Sequence, residues 1–107
     1  IYPIAKTSTT FTVPAEVTEI GYRAFYGSKK LETLNLENPV TVRDNAFESA
    51  GILSIKFKNA TASVFAGRDI LLGANTNLQI SVPSASLAAY KANVLVDYSI
   101  LDKFIGA

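Results

Sequence analysis

Residues 17–25 of this chain read VTEIGYRAF and residues 40–47 read VTVRDNAF, so the Ala-Phe pair that ends at Phe25 recurs at Phe47. A short polar stretch follows each copy and leads into an apolar pattern, LETLNL at 31–36 and ILSIKF at 52–57. A spacing of roughly 20–25 residues is typical of solenoid proteins, in which each repeat forms one turn of the chain. The repeat therefore decides the fold.

Four short segments with alternating apolar and polar residues extend this series. They are centred on Thr12, Asn35, Lys56 and Ser81, with apolar residues on both sides of each. This period of two predicts a strand with one buried face. A strand this short cannot bury that face alone, so we expect the four to stack side by side in a parallel sheet of a curved solenoid.

The rest of each turn is predicted from the residues between these strands. Ala24-Phe25 and Ala46-Phe47 should face the interior from the opposite side, and Ile20 and Val42 should form a second, shorter extended segment. The third unit has no Ala-Phe pair. There we interpret Asp69 as a helix cap and Gly73 as the end of about one helical turn.

The pattern changes after Pro83. Leu87, Tyr90, Val94, Leu95 and Tyr98 follow helical spacing, which predicts an amphipathic helix capped by Ser84 or Ser86. The apolar face could continue through Leu101, Phe104 and Ile105. A helix placed across the last strand would cover its open edge and keep the solenoid soluble.

These residues resemble the BspA-like leucine-rich-repeat proteins of bacterial and some protozoan surfaces. The resemblance covers Val13-Pro14, residues 17–25, 31–36 and 40–57, and the terminal stretch NLQISVP at 77–83 with the helix after it. It implies a cell-surface or secreted protein whose repeats mediate adhesion or protein interaction, with no catalytic residues to carry over. Members of the family often have Trp in the closing helix, whereas this chain has Val94-Leu95-Val96 there.

The predicted fold is α/β, a short leucine-rich-repeat solenoid with a parallel sheet on one face and a C-terminal capping helix. We expect residues 1–107 to be a single solenoid fragment, with repeats at about 10–83 and a cap at about 84–107. Residues 1–9 should belong to a preceding, truncated unit.

Composition disfavours several classes of partner. Apolar residues make up 49% of the 107 positions, which excludes a disordered chain. Ten basic and nine acidic residues leave a net charge of +1, so nucleic acid and anionic membranes are poor candidates. No apolar stretch approaches the roughly 20 residues of a membrane-spanning helix.

The residue types available for catalysis are few. The chain has no His and no Cys, so the commonest acid-base group, the best nucleophile and the commonest zinc ligands are absent. Glu32, Glu37, Asp44 and Glu48 could in principle supply a carboxylate pair, but their scatter favours surface charge. The turn at residues 27–30 precedes a strand, unlike a phosphate-binding loop. We predict no enzyme activity, no cofactor and no metal.

A binding surface is predicted on the outward face of the sheet. If the apolar strand residues point inward, the intervening polar side chains form one strip. Its members are Thr12, Thr33, Asn35, Ser54, Lys56, Gln79 and Ser81. The same residues could merely keep an exposed sheet soluble. Tyr22 and Tyr26 flank Phe25 and are either partly buried or exposed anchors for a partner.

The leading hypothesis is a monomeric, non-enzymatic adhesion or protein-interaction module, extracellular or on a bacterial cell surface. Its ligand would be a protein or a host surface. A purely structural alternative is that the segment terminates a longer repeat array whose binding face lies upstream. A carbohydrate-active domain is a third possibility, which would require a deep pocket with converging carboxylates.

Overall fold

The structure, a computed structural model, describes residues 10–28 and 31–106. The predictions made for residues 1–9 and for Lys29 and Lys30 lie outside this range. Within these described residues, eight strands and one α-helix follow in chain order: β1 (Thr10–Val13), β2 (Glu19–Ile20), β3 (Thr33–Leu36), β4 (Thr41–Val42), β5 (Ser54–Phe57), β6 (Val64–Phe65), β7 (Gln79–Val82), α1 (Leu87–Ala92) and β8 (Phe104–Gly106). A 3-10 helix, Ser84–Ser86, directly precedes α1, and another, Tyr98–Lys103, directly precedes β8.

The larger sheet is parallel, with the strand order β1-β3-β5-β7-β8. Its register aligns Phe11, Leu34, Ile55 and Ile80, which confirms the four predicted strands and their spacing. The inward residues of β3, β5 and β7 are buried and form a continuous apolar core. We call each full circuit of the solenoid a coil. Coil 1 contains β1 and β2, coil 2 contains β3 and β4, and coil 3 contains β5 and β6, each together with the hydrogen-bonded turn that follows its second strand.

A second, smaller parallel sheet has the order β2-β4-β6. Ile20 lies opposite Val42, and Val42 opposite Phe65, so the two predicted extended segments are confirmed and a third joins them. Val94 continues this sheet through an isolated bridge to Phe65. The two sheets therefore line different sides of the same stack of coils.

The third side of each coil is a hydrogen-bonded turn with a left-handed backbone at two positions, the second of which is held by Gly27, Ser49 and Gly73. The first position is held in each coil by a residue other than glycine. These residues are Arg23, Asn45 and Asp69, with φ of 53°, 55° and 50°. Phe25 N donates to Ala46 O at 2.8 Å, and Phe47 N donates to Ile70 O at 3.0 Å, so the turns stack on one another.

The interpretation of Asp69 as a helix cap is therefore wrong, because coil 3 repeats the same turn. The paired apolar residues Ile70 and Leu71 take the positions that Ala46 and Phe47 occupy in coil 2. The inward role of the Ala-Phe pairs is confirmed, since Phe25 and Phe47 are buried and stack with ring centroids 5.4 Å apart.

Gly67 lies where coil 3 has one residue more than coil 2. Between the short strand and the left-handed residue, coil 3 places Ala66, Gly67 and Arg68, whereas coil 2 places only Arg43 and Asp44. The N–H groups of Ala66 and Gly67 both donate to the carbonyl oxygen of Val42, each at 3.0 Å. A Cβ atom on Gly67 would overlap the backbone of Arg43 and Asp44. Only glycine fits this position.

The C-terminal helix is confirmed, but it ends at Ala92, and the longer apolar face is wrong. Val94 is buried in the bridge to the smaller sheet, whereas Leu95 and Tyr98 are exposed. Phe104 and Ile105 belong to β8, which adds a fifth strand beside β7.

The predicted serine cap is also absent from α1. The Ser86 hydroxyl makes no capping bond to the helix and instead donates to Ala60 O at 2.7 Å. The helix is therefore attached to coil 3 by a side chain.

Tyr90 holds α1 against the last repeat. Its ring is fully buried beside Phe57, with centroids 5.6 Å apart. Its hydroxyl lies 2.5 Å from Asn59 O and 3.2 Å from Thr61 O. It therefore donates to carbonyl groups in the corner of coil 3, the segment that joins β5 to β6. Burial raises the pKa of the Tyr90 phenol above its ordinary value of 10.0, and a hydrogen bond with Ser63 opposes part of this shift.

We predict that Gly67→Ala destabilises the fold by about 3 kcal/mol, because the methyl group must displace backbone rather than a flexible side chain. Gly21→Ala is the matched control, since nothing lies within 4 Å of the Cβ built there and its φ is not positive. Urea denaturation of both variants and the wild type measures the difference. Equal stability of the two variants would contradict the close contact at Gly67.

We predict that Tyr90→Phe lowers the free energy of unfolding by about 1–2 kcal/mol at pH 7, because carbonyl groups lose their donor. Because the pKa of Tyr90 is higher in the folded state than in the unfolded chain, the unfolded chain loses the phenol proton first as the pH rises. The stabilising contribution of the protonated phenol is therefore fully present below pH 10 and is lost as the pH rises through the folded-state pKa. Wild-type stability should therefore fall more steeply above pH 10 than that of the variant. Denaturation curves between pH 7 and 11 test this, with Tyr98→Phe, at a 63% exposed tyrosine, as the control. Parallel pH profiles for wild type and Tyr90→Phe would refute the assignment.

Candidate interaction surface

The seven polar residues predicted to face outward lie on one side of the larger sheet, in two rows across the strands. Thr12, Asn35, Lys56 and Ser81 are aligned in one row by the strand register. Thr33, Ser54 and Gln79 are aligned in the other. The structure therefore brings all seven together, and we call this set the sheet face.

The sheet face is accessible to a ligand. Thr12, Lys56 and Gln79 are exposed, while Thr33, Asn35, Ser54 and Ser81 are half-buried between their neighbours. The residues that alternate with them in β3, β5 and β7 are buried. Because the opposite side of each strand is packed, the backbone that carries the sheet face is held in place.

The chemistry of the sheet face is that of neutral hydrogen bonding with one positive charge. Its hydroxyl and amide groups both donate and accept, and Asn35 Nδ2 lies 3.5 Å from Thr12 Oγ1. Lys56 is its single charged member and makes no ion pair within the described part of the chain. Beside it, Lys58 lies 3.9 Å from Glu37. Such a surface suits a polar partner with hydrogen-bonding groups.

Two further residues extend the rows, and sequence reasoning did not assign them to the surface. Thr10 is in register with Thr33. Ile105 is in register with Ser81 and is 38% exposed, so it adds an apolar end to the first row. No pattern in the sequence separates Ile105 from a helix residue, because its strand is only three residues long.

The carboxylates considered for a catalytic pair take part in separate surface contacts. Glu37 pairs with Lys58, and Glu48 lies 3.2 Å from Arg23 Nε. Asp44 accepts from Arg68 N at 2.9 Å, and Glu32 is exposed. Each of the first three contacts joins neighbouring coils, and this arrangement is typical of surface charge that supports a stack.

A small open cleft lies on the turn side of the stack. Its volume is about 210 Å³, and it is lined by Arg68, Asp69, Val96 and Asp97. Asp97 accepts hydrogen bonds from Ile70 N at 3.0 Å and from the Ser99 backbone and hydroxyl, so its carboxylate closes the ladder of stacked turns.

Among residues 10–28 and 31–106, no helix has the length and apolarity to cross a membrane.

The chain matches a family model described as BspA type Leucine rich repeat region, in six copies over residues 5–95. This match confirms the resemblance predicted from the sequence. No curated protein and no solved structure matches the chain.

We predict that truncating an inward side chain of β3 lowers the free energy of unfolding far more than truncating an outward one. Leu34→Ala should cost about 2–5 kcal/mol, because Leu34 is completely buried between neighbouring strands. Asn35→Ala should change the stability by no more than about 0.5 kcal/mol, because its side chain makes only the long contact with Thr12. Chemical denaturation of both variants checks this, and a comparable loss for both would contradict the assignment of the outward face.

Proposed function

Because the chain belongs to the BspA-type leucine-rich-repeat family, we propose that it is a non-enzymatic binding module that contacts its partner through the sheet face. Repeats of this family form protein-interaction modules and are typically non-catalytic. Beyond these family properties, we propose that the seven residues of the sheet face make the contact and that the chain has no catalytic activity.

The observation that carries this proposal is the register of the sheet. Four consecutive strands present polar side chains in two aligned rows, on a backbone held by core packing from the other side. A surface ordered before binding loses less conformational entropy when a partner docks. Solenoid proteins commonly bind through such extended faces.

The location and partner of the module are also part of the proposal. The family is generally associated with bacterial surface or secreted proteins, which supports an extracellular adhesion role. A net charge of +1 favours a protein or host-surface ligand recognised by hydrogen bonds over one recognised by bulk charge. We propose that the module acts as a monomer.

A structural role is the second candidate, and the residues after Pro83 favour it. Val94 extends the smaller sheet, Asp97 extends the ladder of turns, and β8 extends the larger sheet. This segment therefore continues the smaller sheet and the turn of coil 3, and it adds a strand beside β7 in the larger sheet, as expected of a segment that terminates a stack. In this alternative the sheet face binds nothing.

Binding to a panel of extracellular-matrix proteins, host-cell surfaces and glycans tests the proposal. The sheet-face variant carries Thr33→Glu, Asn35→Glu, Ser54→Glu and Lys56→Glu, which place bulky negative charge on both rows. The matched control carries Ala85→Glu, Ala88→Glu, Ala89→Glu and Lys91→Glu, at exposed positions around α1 with the same change in net charge. We expect a ligand of the wild type to lose at least about tenfold in affinity for the sheet-face variant alone.

Circular dichroism and thermal unfolding confirm that both variants are folded. Equal binding by the two variants would refute the sheet face as the contact surface. A folded wild-type protein that binds no member of the panel would favour the structural role.

A further inference from the structure

Three exposed side chains form a cluster on the turn of coil 1, on a different side of the coil from the sheet face. Tyr22 and Tyr26 are 64% and 51% exposed, so the interpretation of these tyrosines as partly buried is wrong. The guanidinium carbon of Arg23 lies 5.3 Å from the ring centroid of Tyr22 and 4.6 Å from that of Tyr26. The positive group therefore contacts a ring on each side.

The backbone beneath the cluster is held in place. Arg23 N, Phe25 N and Gly27 N donate to carbonyl groups of coil 2 at distances between 2.8 and 3.3 Å. Phe25, between the two tyrosines, is buried and stacks on Phe47. Because Phe25 is packed inward and the backbone is bonded to coil 2, Tyr22 and Tyr26 point outward from a fixed turn.

The Arg23 side chain is oriented on one edge and open on the other. Its Nε donates to Glu48 Oε1 at 3.2 Å, and Glu48 also accepts from Asn45 Nδ2 at 3.1 Å. Within residues 10–28 and 31–106, the terminal nitrogens of Arg23 and the hydroxyls of Tyr22 and Tyr26 have no hydrogen-bond acceptor. Several donors therefore face solvent from the same small area, beside exposed aromatic carbon.

The fold itself does not require these residue types. The positions that correspond to Tyr22 in coils 2 and 3 hold Asp44 and Arg68, and those that correspond to Tyr26 hold Glu48 and Leu72. Stacking of the turns uses backbone atoms that every residue carries. Tyrosine and arginine are also among the residue types that most often dominate the energetics of protein interfaces.

We infer that Tyr22, Arg23 and Tyr26 form a second contact surface, for a protein partner that presents an Asp or Glu carboxylate beside an apolar side chain. The carboxylate accepts from the open edge of the Arg23 guanidinium, where a planar fork of N–H groups matches two carboxylate oxygens. The apolar side chain packs on the exposed ring surface. The guanidinium lies over one face of each ring, so the ring surface left for the partner is the opposite face and the edges.

Selection of random 12-residue peptides displayed on phage against the whole chain tests this inference without a known partner. We expect the selected peptides to carry Asp or Glu next to an apolar residue. By isothermal titration calorimetry, the tightest peptide should lose at least about tenfold in affinity for Arg23→Gln and for Tyr22→Ala with Tyr26→Ala. Arg23→Lys, which keeps the charge but loses the fork, should also weaken binding.

The control is Tyr98→Ala, which removes a 63% exposed tyrosine whose hydroxyl is bonded to Leu95 O. It should leave the affinity unchanged, and thermal unfolding of every variant confirms the fold. Peptides without acidic residues, no peptide at all, full affinity for Arg23→Gln, or displacement of the peptide by uronate oligosaccharides would each overturn the inference. If the peptides are lost on the sheet-face variant but not on Arg23→Gln, the inference fails while the proposed function stands.

Discussion

The stacking of each coil on the next through backbone hydrogen bonds is the constraint on which the remaining structure depends. Neighbouring strands must lie about 4.8 Å apart, and the larger sheet, the smaller sheet and the ladder of turns all keep the same coils in contact. This spacing stacks equivalent side chains directly above one another. Phe25 on Phe47 is one such column, and the aligned residues from Phe11 to Ile80 form another. Side chains such as Asn38 and Asn59 repeat the principle at the corners, where each donates to a carbonyl of the preceding coil, Ala15 O and Glu37 O.

Coil 3 has polar groups on the side away from coil 2, and these need partners where the regular repeat stops after Pro83. The residues after Pro83 supply these partners with side chains in place of a regular repeat. Ser86 and Tyr90 donate to carbonyls of the corner of coil 3, and Asp97 accepts an N–H from its turn. Phe104 packs against Phe65 with ring centroids 5.4 Å apart. Coil 3 is therefore covered on this side by specific polar contacts around an aromatic core, and the α-helix involved has only six residues.

The same constraint separates the inward residues that specify the fold from the outward residues that stay exposed. Inward positions are filled by apolar side chains, while outward positions are free to vary as long as they tolerate water. The sheet face and the Tyr22 cluster both lie at such positions, on different sides of the coil, and they differ in chemistry. The former is neutral and hydrogen-bonding apart from Lys56, whereas the latter combines aromatic carbon with the partly open guanidinium of Arg23. A solenoid can present both at once because each coil exposes three sides.

The sequence by itself determined the repeat, four of the five strands of the larger sheet, the inward and outward residues of those four strands, and the family. It did so because the alternation of apolar and polar residues and the recurring Ala-Phe pair mark buried positions directly. It did not reveal the turn at Asp69, where Ile70 and Leu71 replace the pair, since a left-handed backbone angle leaves no periodic signal. Nothing in the sequence marks Gly67 as essential, because the constraint comes from the backbone of Arg43 and Asp44 in the neighbouring coil. Tertiary structure also decided that Phe104 and Ile105 form a strand, because pairing with β7 outweighs a helical pattern in so short a segment. The exposure of Tyr22 and Tyr26 was settled in the same way, since only the stacked coils determine which side of a turn faces the core.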